Sequence, residues 1–494
     1  MWRAFARKNL VARTSQLLFF FFTLVCVFYI LYIFLDDSNS TLTITKSIPN
    51  HLKEFGLNCF NGPMTTTCPA SYYPKQFKST YQPPRPSPAS KTCPDYFRWI
   101  YEDLRPWTST GITLEMVERA NRTANFRLVI INGRAYVEVY EKGFQSRDTF
   151  TLWGILQLLR RFPGKIPDLD LMFDCVDWPV IRSTDYTPGP NSISPPPLFR
   201  FCGDNNTFDI VFPDWSFWGW PETNVRPWER LSRDIISANQ RTPWKDRDRF
   251  AYWKGNPFVA GKRMELLKCN VSAEHEWNAR IYVQDWPSEV KQGFKNSSLT
   301  KQCNHRYKIY IEGSAWSVSE KYIMACDSVT LYVKPQYYDF FSRGLMPMRH
   351  YWPIRNDNKC MSIKFAVAWG NSNDRKVELI RKAGSKFIQE DLTMDNVYNY
   401  MFHLLNEYAK LLKYKPKVPP RAVELCSESI ACSAQGLSIA FMMESLVKNG
   451  TSDVAPCTMP QPYDRSTLDA ILKRKEKILR GVEKVEKFYW NWHS

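Results

Sequence analysis

From Leu17 to Phe34 the chain is apolar and carries no charge, and no other stretch constrains its architecture as much. At ~1.5 Å of rise per residue these positions, with Leu35, just cross a bilayer core of ~30 Å as one helix. Arg3, Arg7, Lys8 and Arg13 precede the run with no acid among them, and Asp36 and Asp37 follow it. Cations ahead of an apolar run predict a cytosolic tail (1–16), a transmembrane anchor (17–35) and a lumenal remainder. A cleaved signal peptide is the rival reading; the run is long for one, and no small-x-small cleavage site follows it.

Of 13 cysteines only Cys26 lies in the apolar run, and the 12 that remain suit disulfides in an oxidising space. N-x-S/T sequons at Asn39, Asn121, Asn205, Asn270, Asn296 and Asn449 all follow the run. The last four residues, Asn491-Trp492-His493-Ser494, are not a KDEL-type signal, so retention is expected to rest on the anchor or on partners. The expected address is the membrane of the Golgi, or else of the endoplasmic reticulum. The net charge of +17 includes four cations of the tail. The basic lumenal part fits a solvated surface or an anionic ligand such as a nucleotide diphosphate or acidic glycan. The compartment argues against nucleic acid as a partner.

Residues 36–92 are rich in Ser, Thr and Pro, including Gln82-Pro83-Pro84-Arg85-Pro86-Ser87-Pro88, and read as a stem that resists packing. Asn132-Gly133 between alternating strands predicts a hairpin over Phe126 to Tyr140. Leu152, Trp153, Ile155, Leu156, Leu159 and Phe162 mark a buried helix face ended by Pro163-Gly164, and a strand from Leu169 to Val176 follows. Beyond it strand, Gly turn and helix recur: Arg249 to Lys254, Gly255-Asn256-Pro257, and a helix from about Gly261; then Tyr307 to Glu312, Gly313-Ser314-Ala315, and a helix from about Ser317 to Cys326. Val329 to Val333 reads as a strand and Met394 to Leu412 as a helix. A last amphipathic helix (461–494) uses Leu468, Ile471, Leu472, Leu479, Val482 and Val485, and its mixed charge predicts packing on the protein rather than on a membrane. The alternation predicts an α/β fold of two doubly wound Rossmann-like domains, 93–235 and 236–460.

No G-x-S-x-G, H-E-x-x-H, Walker or G-x-G-x-x-G pattern occurs, and the six histidines are scattered. Asp168-Leu169-Asp170 is a D-x-D of the kind that can hold a divalent metal on a sugar-nucleotide diphosphate. At the start of a strand, alternation also places both acids together on an exposed face, the simpler reading. The two Gly turns offer free N–H groups at helix starts, and Arg263 joins the first of them; together they suit a diphosphate without metal. Asp177, just past a strand end, stands where a catalytic carboxylate is useful in an open α/β sheet.

Five ordered blocks carry a family resemblance. They are Glu102-Asp103-Leu104-Arg105-Pro106-Trp107 with Gly111-Ile112-Thr113, Asp174-Cys175-Val176-Asp177-Trp178-Pro179, Phe212-Pro213-Asp214-Trp215-Ser216-Phe217-Trp218, Ala251-Tyr252-Trp253-Lys254-Gly255-Asn256, and Tyr307 through Ser328. Over roughly residues 93–415 the chain resembles the CAP10/Rumi-type protein O-glycosyltransferases (KDEL-motif, DUF821 or glycosyltransferase family 90) in a plant-type version. The resemblance implies GT-B architecture and an inverting, metal-independent transfer of glucose or xylose from a UDP-sugar to a hydroxyl of a protein or polysaccharide, with no cofactor. It makes Asp177, in an Asp-aromatic-Pro motif, the general base.

By the same resemblance Asn256 and Arg263 match donor-binding positions, and Ser314, Ala315, Trp316, Ser317, Val318 and Ser319 match the segment that cradles the nucleotide. Animal relatives end that segment in Arg, where this chain has Ser319, so Lys321 or Arg263 is expected to supply the missing cation. Trp220 and Asn224 match a loop that reaches the donor, and Cys303 and Cys326 match a disulfide. Two other readings stand beside this one: a metal-dependent transferase using Asp168 and Asp170, and a non-catalytic glycan-binding relative.

Overall fold

The computed structural model describes Leu57, Cys68 and residues 91–186, 193–448 and 455–493. The tail, the anchor, most of the stem and the sequons Asn39 and Asn449 lie outside the described residues. Among the described residues no helix is long and apolar enough to cross a membrane.

The first sheet is mixed. Its strands β1 (Phe126–Ile131), β2 (Arg134–Val139), β3 (Leu169–Phe173), β4 (Leu198–Arg200), β5 (Ile210–Val211) and β11 (Val423–Leu425) lie in the order β11-β2-β1-β3-β4-β5. Asn132 (φ 52°) and Gly133 (φ 73°) make the left-handed pair of a type I′ two-residue turn, so Ile131 faces Arg134. β11, β2, β1 and β3 pair antiparallel and only β3, β4 and β5 run parallel, which departs from the purely parallel doubly wound sheet that alternation predicts. For β1 and β2 the cause is the hairpin: a two-residue turn leaves no room for the crossover that parallel neighbours require.

The second sheet is parallel throughout: β6 (Asp248–Gly255), β7 (Ala279–Val283), β8 (His305–Tyr310), β9 (Val329–Val333) and β10 (Trp352–Ile354), in the order β10-β9-β8-β6-β7. The chain leaves β6 for β7 on one side and returns to β8 on the other. The order in which strands are added across the sheet therefore reverses between β6 and β8, and such a switch point opens a crevice at the carboxyl ends of the strands. The two Gly turns follow β6 and β8, one on each side of that crevice.

The helix Arg147–Arg161 buries Phe150, Trp153, Ile155, Leu156 and Leu158 beside the first sheet. A Cβ at Gly154 would stand 2.5 Å from the Trp218 ring, so only glycine lets the helix lie this close to the Phe212 to Trp218 block. The helix Met394–Leu411 does not stay with the second sheet. It joins the first core, where Tyr408 donates from its hydroxyl to the Asp170 carbonyl at 2.9 Å, and β11 then extends the first sheet. Residues 394–446, expected within the 236–460 domain, thus pack with the first half.

The closing helix spans Arg465–His493 and packs on the protein through Leu468 in the first core and Val482, Tyr489 and Trp490 against the second. Leu472 and Val485, which the amphipathic reading puts inside, are 47% and 55% exposed. The stem reading needs a correction too: Leu57 packs against the first core, and Cys68 is bonded to Cys426. Disulfides Cys93–Cys457, Cys269–Cys360 and Cys303–Cys326 also form, and Cys432 is disulfide-bonded, whereas Cys175 and Cys202 are free and buried. Asn121, Asn205 and Asn296 are exposed, while the Asn270 side chain accepts from the Ile281 N–H at 2.9 Å.

Candidate active site

A cleft of about 370 Å³ opens between the two sheets and gathers Asp177 from the first half with Asn256, Arg263 and Ser314 to Ser319 from the second. Ala315 is buried beneath this wall rather than facing the cleft, and Gly255, Val259 and Gly313 complete it.

Asp177 lies four residues beyond β3, on a loop fixed from below by Arg200. That guanidinium is buried with Asp174 and Asp209, donates to the carbonyls of Val176 and Trp178, and so holds the backbone on both sides of Asp177. Asp209 accepts from the N–H groups of Val180 and Ile181. Burial pushes the Asp209 carboxyl up to about 6, against the pull of Arg200. Asp177 itself is 27% exposed at the side chain, and its Oδ1 accepts from Arg147 Nη1 at 2.5 Å. Arg147 is the first residue of its helix and also donates to the Cys175 carbonyl at 3.3 Å, with its guanidinium 4.5 Å over the Trp215 ring.

Trp178 ties the two halves together: its indole N–H donates to the Ser314 carbonyl at 2.9 Å. The loop bearing Asp177 is therefore hydrogen-bonded to the loop expected to cradle a nucleotide.

Across the cleft, Arg263 donates to the carbonyls of Glu312 (2.9 Å), Ile311 (3.1 Å) and Asn256 (3.2 Å) and to Ser317 Oγ (3.1 Å). It cross-links the β6 and β8 turns. Burial lowers its pKa, and among the described residues no carboxylate forms an ion pair with it, whereas its neighbour Lys262 is matched by Glu312. A half-buried guanidinium with no ion-pair partner suits an anionic ligand. Asn256 caps the Pro257–Val259 turn by accepting from the Phe258 N–H at 2.9 Å. Ser317 and Ser319 share a hydroxyl contact of 2.9 Å, which extends the polar wall away from Arg263.

Several expected site residues lie elsewhere or act differently. Lys321 is buried and bonded to Asp214 (3.2 Å) and Ser216 Oγ (2.7 Å), so it clamps the second half to the Phe212 to Trp218 block and does not line the cleft. Asn224 is an exposed left-handed residue (φ 52°) at the end of the Pro221–Thr223 turn and does not line the cleft. Trp220 does line it, and its indole N–H is taken by Gln145 Oε1 at 2.9 Å. The D-x-D does not form an exposed pair: Asp170 is fully buried in a bidentate pair with Arg127 (2.8 and 2.6 Å) and accepts from Tyr414, while Asp168 accepts from the Asn132 N–H of the hairpin turn. Every residue of β3 is buried, so both of its faces are covered, and neither acid lines the cleft. Cys303 and Cys326 pair as the resemblance implied.

Sequence reasoning did not single out Arg147, Arg200 or Gln284. The available signal was weak: a cation at the start of a buried helix, an Arg within an apolar strand, and a polar residue at a strand end.

The chain matches the family described as Glycosyl transferase family 90 over residues 88–486. It is 28% identical over 344 residues to Protein O-glucosyltransferase 1 of Homo sapiens, covering 66% of this chain and 82% of the relative. To O-glucosyltransferase rumi of Drosophila melanogaster it is 24% identical over 352 residues, 68% of this chain and 82% of the relative. Protein O-glucosyltransferase 2 of Danio rerio is 27% identical over 339 residues, 66% of this chain and 64% of the relative.

Proposed function

Because the chain belongs to glycosyl transferase family 90 and is a glycosyltransferase, we propose that it moves glucose or xylose from a UDP-sugar to a hydroxyl of a protein acceptor, with inversion and without metal. The observation that carries this reading is the bond from Trp178 to the Ser314 carbonyl, which sets Asp177 beside the nucleotide-cradling loop.

Asp177 is the general base. Its carboxylate takes the proton of the acceptor hydroxyl as that oxygen attacks the anomeric carbon from the face opposite the diphosphate. The bond from the anomeric carbon to the phosphate oxygen breaks, and the electron pair leaves with UDP. Arg263 faces the charge that develops on the diphosphate, with Ser317 and Ser319 beside it, and so fills the place that an Arg holds in the animal segment. Arg147 holds one oxygen of Asp177 and leaves the other for the acceptor. The two halves are read as a GT-B pair. The apolar run at 17–35 and the disulfides support a single-pass type II enzyme of the Golgi or endoplasmic reticulum with a lumenal active site.

The names of the relatives, protein O-glucosyltransferases, support a protein acceptor, while a polysaccharide hydroxyl fits the same chemistry. The test is to incubate the purified protein with individual UDP-sugars and measure UDP release with and without EDTA. Release from UDP-glucose or UDP-xylose that survives EDTA is expected; release that requires a divalent metal overturns the metal-independent mechanism.

A further inference from the structure

The second sheet lays three strand ends side by side in the order β8, β6, β7, and the cleft runs along them. Ser314 to Ser319 follow β8, Gly255 ends β6 and Asn256 follows it, and Gln284 and Trp286 follow β7. Asp177 adjoins the β8 end through Trp178, and Arg263 spans the β8 and β6 ends. On the donor reading above, on which this inference rests, the sugar lies at Asp177 and the diphosphate at Arg263. The nucleoside then extends away from Asp177, toward β7. Neighbouring strands are ~4.8 Å apart, so the β7 end is ~10 Å from the β8 end, about the reach of a ribose and base beyond a diphosphate.

Gln284 occupies that end. It is 5% exposed, and its backbone N–H donates to the Gly255 carbonyl at 2.8 Å, which pins it beside the first Gly turn. Its side-chain Nε2 is buried and has no hydrogen-bond partner among the described residues, although the residue lines the cleft. A buried amide donor is rarely left unpaired, so an unused one in a ligand cleft calls for an acceptor on the ligand. Two residues on, the half-buried Trp286 lines the same stretch of cleft, with Tyr252 nearby in the lining from β6. An indole face there is a stacking surface for a planar base.

We propose that Gln284 and Trp286 form the nucleobase subsite, with Gln284 Nε2 donating to a carbonyl oxygen of a uracil ring that lies against Trp286. The edge of uracil offers two carbonyl acceptors. Cytosine replaces one of them with an amino group, which sets donor against donor if it meets Gln284.

Calorimetric titration of the full-length protein in detergent with UDP, CDP and inorganic pyrophosphate tests the assignment. Wild type is expected to prefer UDP over CDP. Gln284→Ala should bind UDP ~10- to 100-fold more weakly and leave pyrophosphate binding unchanged, because pyrophosphate has no base. Gln284→Glu exchanges the donor for an acceptor and should narrow or reverse the preference for UDP over CDP. Gln284→Met, which keeps the volume, is expected to show the same selective loss if the Ala variant folds poorly. Gln284→Ala and Gln284→Met that bind UDP within about twofold of wild type overturn the subsite, and so does an equal loss of UDP and pyrophosphate. Wild type that binds neither UDP nor pyrophosphate overturns the donor reading itself, and the subsite with it.

Discussion

Arg147→Met probes the catalytic loop while keeping an unbranched side chain in the same slot. Arg147 is 8% exposed and makes four contacts that Met cannot: Asp177 Oδ1 at 2.5 Å, the Cys175 carbonyl at 3.3 Å, and the Trp215 and Phe144 faces at 4.5 and 5.2 Å. A charge-assisted hydrogen bond is worth ~1.5–3 kcal/mol and a cation over an aromatic ring ~0.5–1 kcal/mol. The partial exposure of Asp177 trims the first term. Global stability should therefore fall by ~1–3 kcal/mol, which leaves a folded protein. The larger effect is on chemistry. Without Arg147 the base can rotate away from the acceptor, and a misplacement of ~1 Å in a reacting group reduces turnover ~100-fold. Nucleotide affinity should stay unchanged, because Arg147 is bonded to Asp177 and not to the Arg263 wall. Lys at this position keeps the charge but not the planar guanidinium that reaches Asp177 and lies over Trp215, so Arg147→Lys should recover only part of the rate. The assay pairs initial rates of UDP release with calorimetric UDP binding and a melting curve. A folded Met variant with turnover within about threefold of wild type would show that Arg147 does not position Asp177.

Three further outcomes follow from the packing. Asp170→Asn leaves the Arg127 guanidinium without its counter-charge in the first sheet, so urea unfolding should shift by ~3–5 kcal/mol, while the folded protein keeps its specific activity with or without EDTA; metal-rescued activity loss would instead mark a metal site. The Cys303–Cys326 bond closes a loop at a sequence separation of 23, and on the chain-entropy model its removal in a double Ser variant should lower stability by ~3 kcal/mol without changing nucleotide affinity. Burial, with Arg349 and Lys475 nearby, pushes the His350 imidazolium down to about 4. The folded state therefore binds fewer protons than the unfolded state below pH ~6.5, and stability falls as pH drops from ~6.5 toward ~4, by up to ~2 kcal/mol at pH ~5. His350→Asn should flatten that part of the curve, and an unchanged slope would assign the acid sensitivity to other groups.

What the sequence disclosed was mostly local. Asn132-Gly133 specified the hairpin because this pair readily takes the two left-handed conformations of a tight turn, and the repeated strand, Gly turn and helix pattern marked the two turns that flank the crevice between β6 and β8. Asp177 stood out because a carboxylate past a strand end is useful in such folds. The errors came from partners distant in sequence. Alternation along β3 cannot reveal that Tyr408 and Tyr414, some 240 positions later, reach Asp170 and that the acids are sealed inside. Lys321 looked like a spare cation because Asp214, 107 positions earlier, is invisible to local reading. An even number of cysteines did not foretell that Cys175 and Cys202 stay unpaired beside the Asp177 loop, where Cys202 Sγ donates to the Asp177 carbonyl. Arg200 is the clearest case: within β4 it resembles an interruption of an apolar strand, yet it fixes the loop that carries Asp177.

The most direct measurement compares Asp177→Asn with wild type for UDP binding and for sugar transfer in the same preparation. Asn matches the shape of Asp and can keep a contact with Arg147, so UDP affinity is expected to remain within about twofold of wild type. Transfer should fall by at least ~100-fold, since the amide cannot take the acceptor proton. An Asp177→Asn protein that binds UDP and still transfers sugar at the wild-type rate would contradict the assignment of Asp177 as the base.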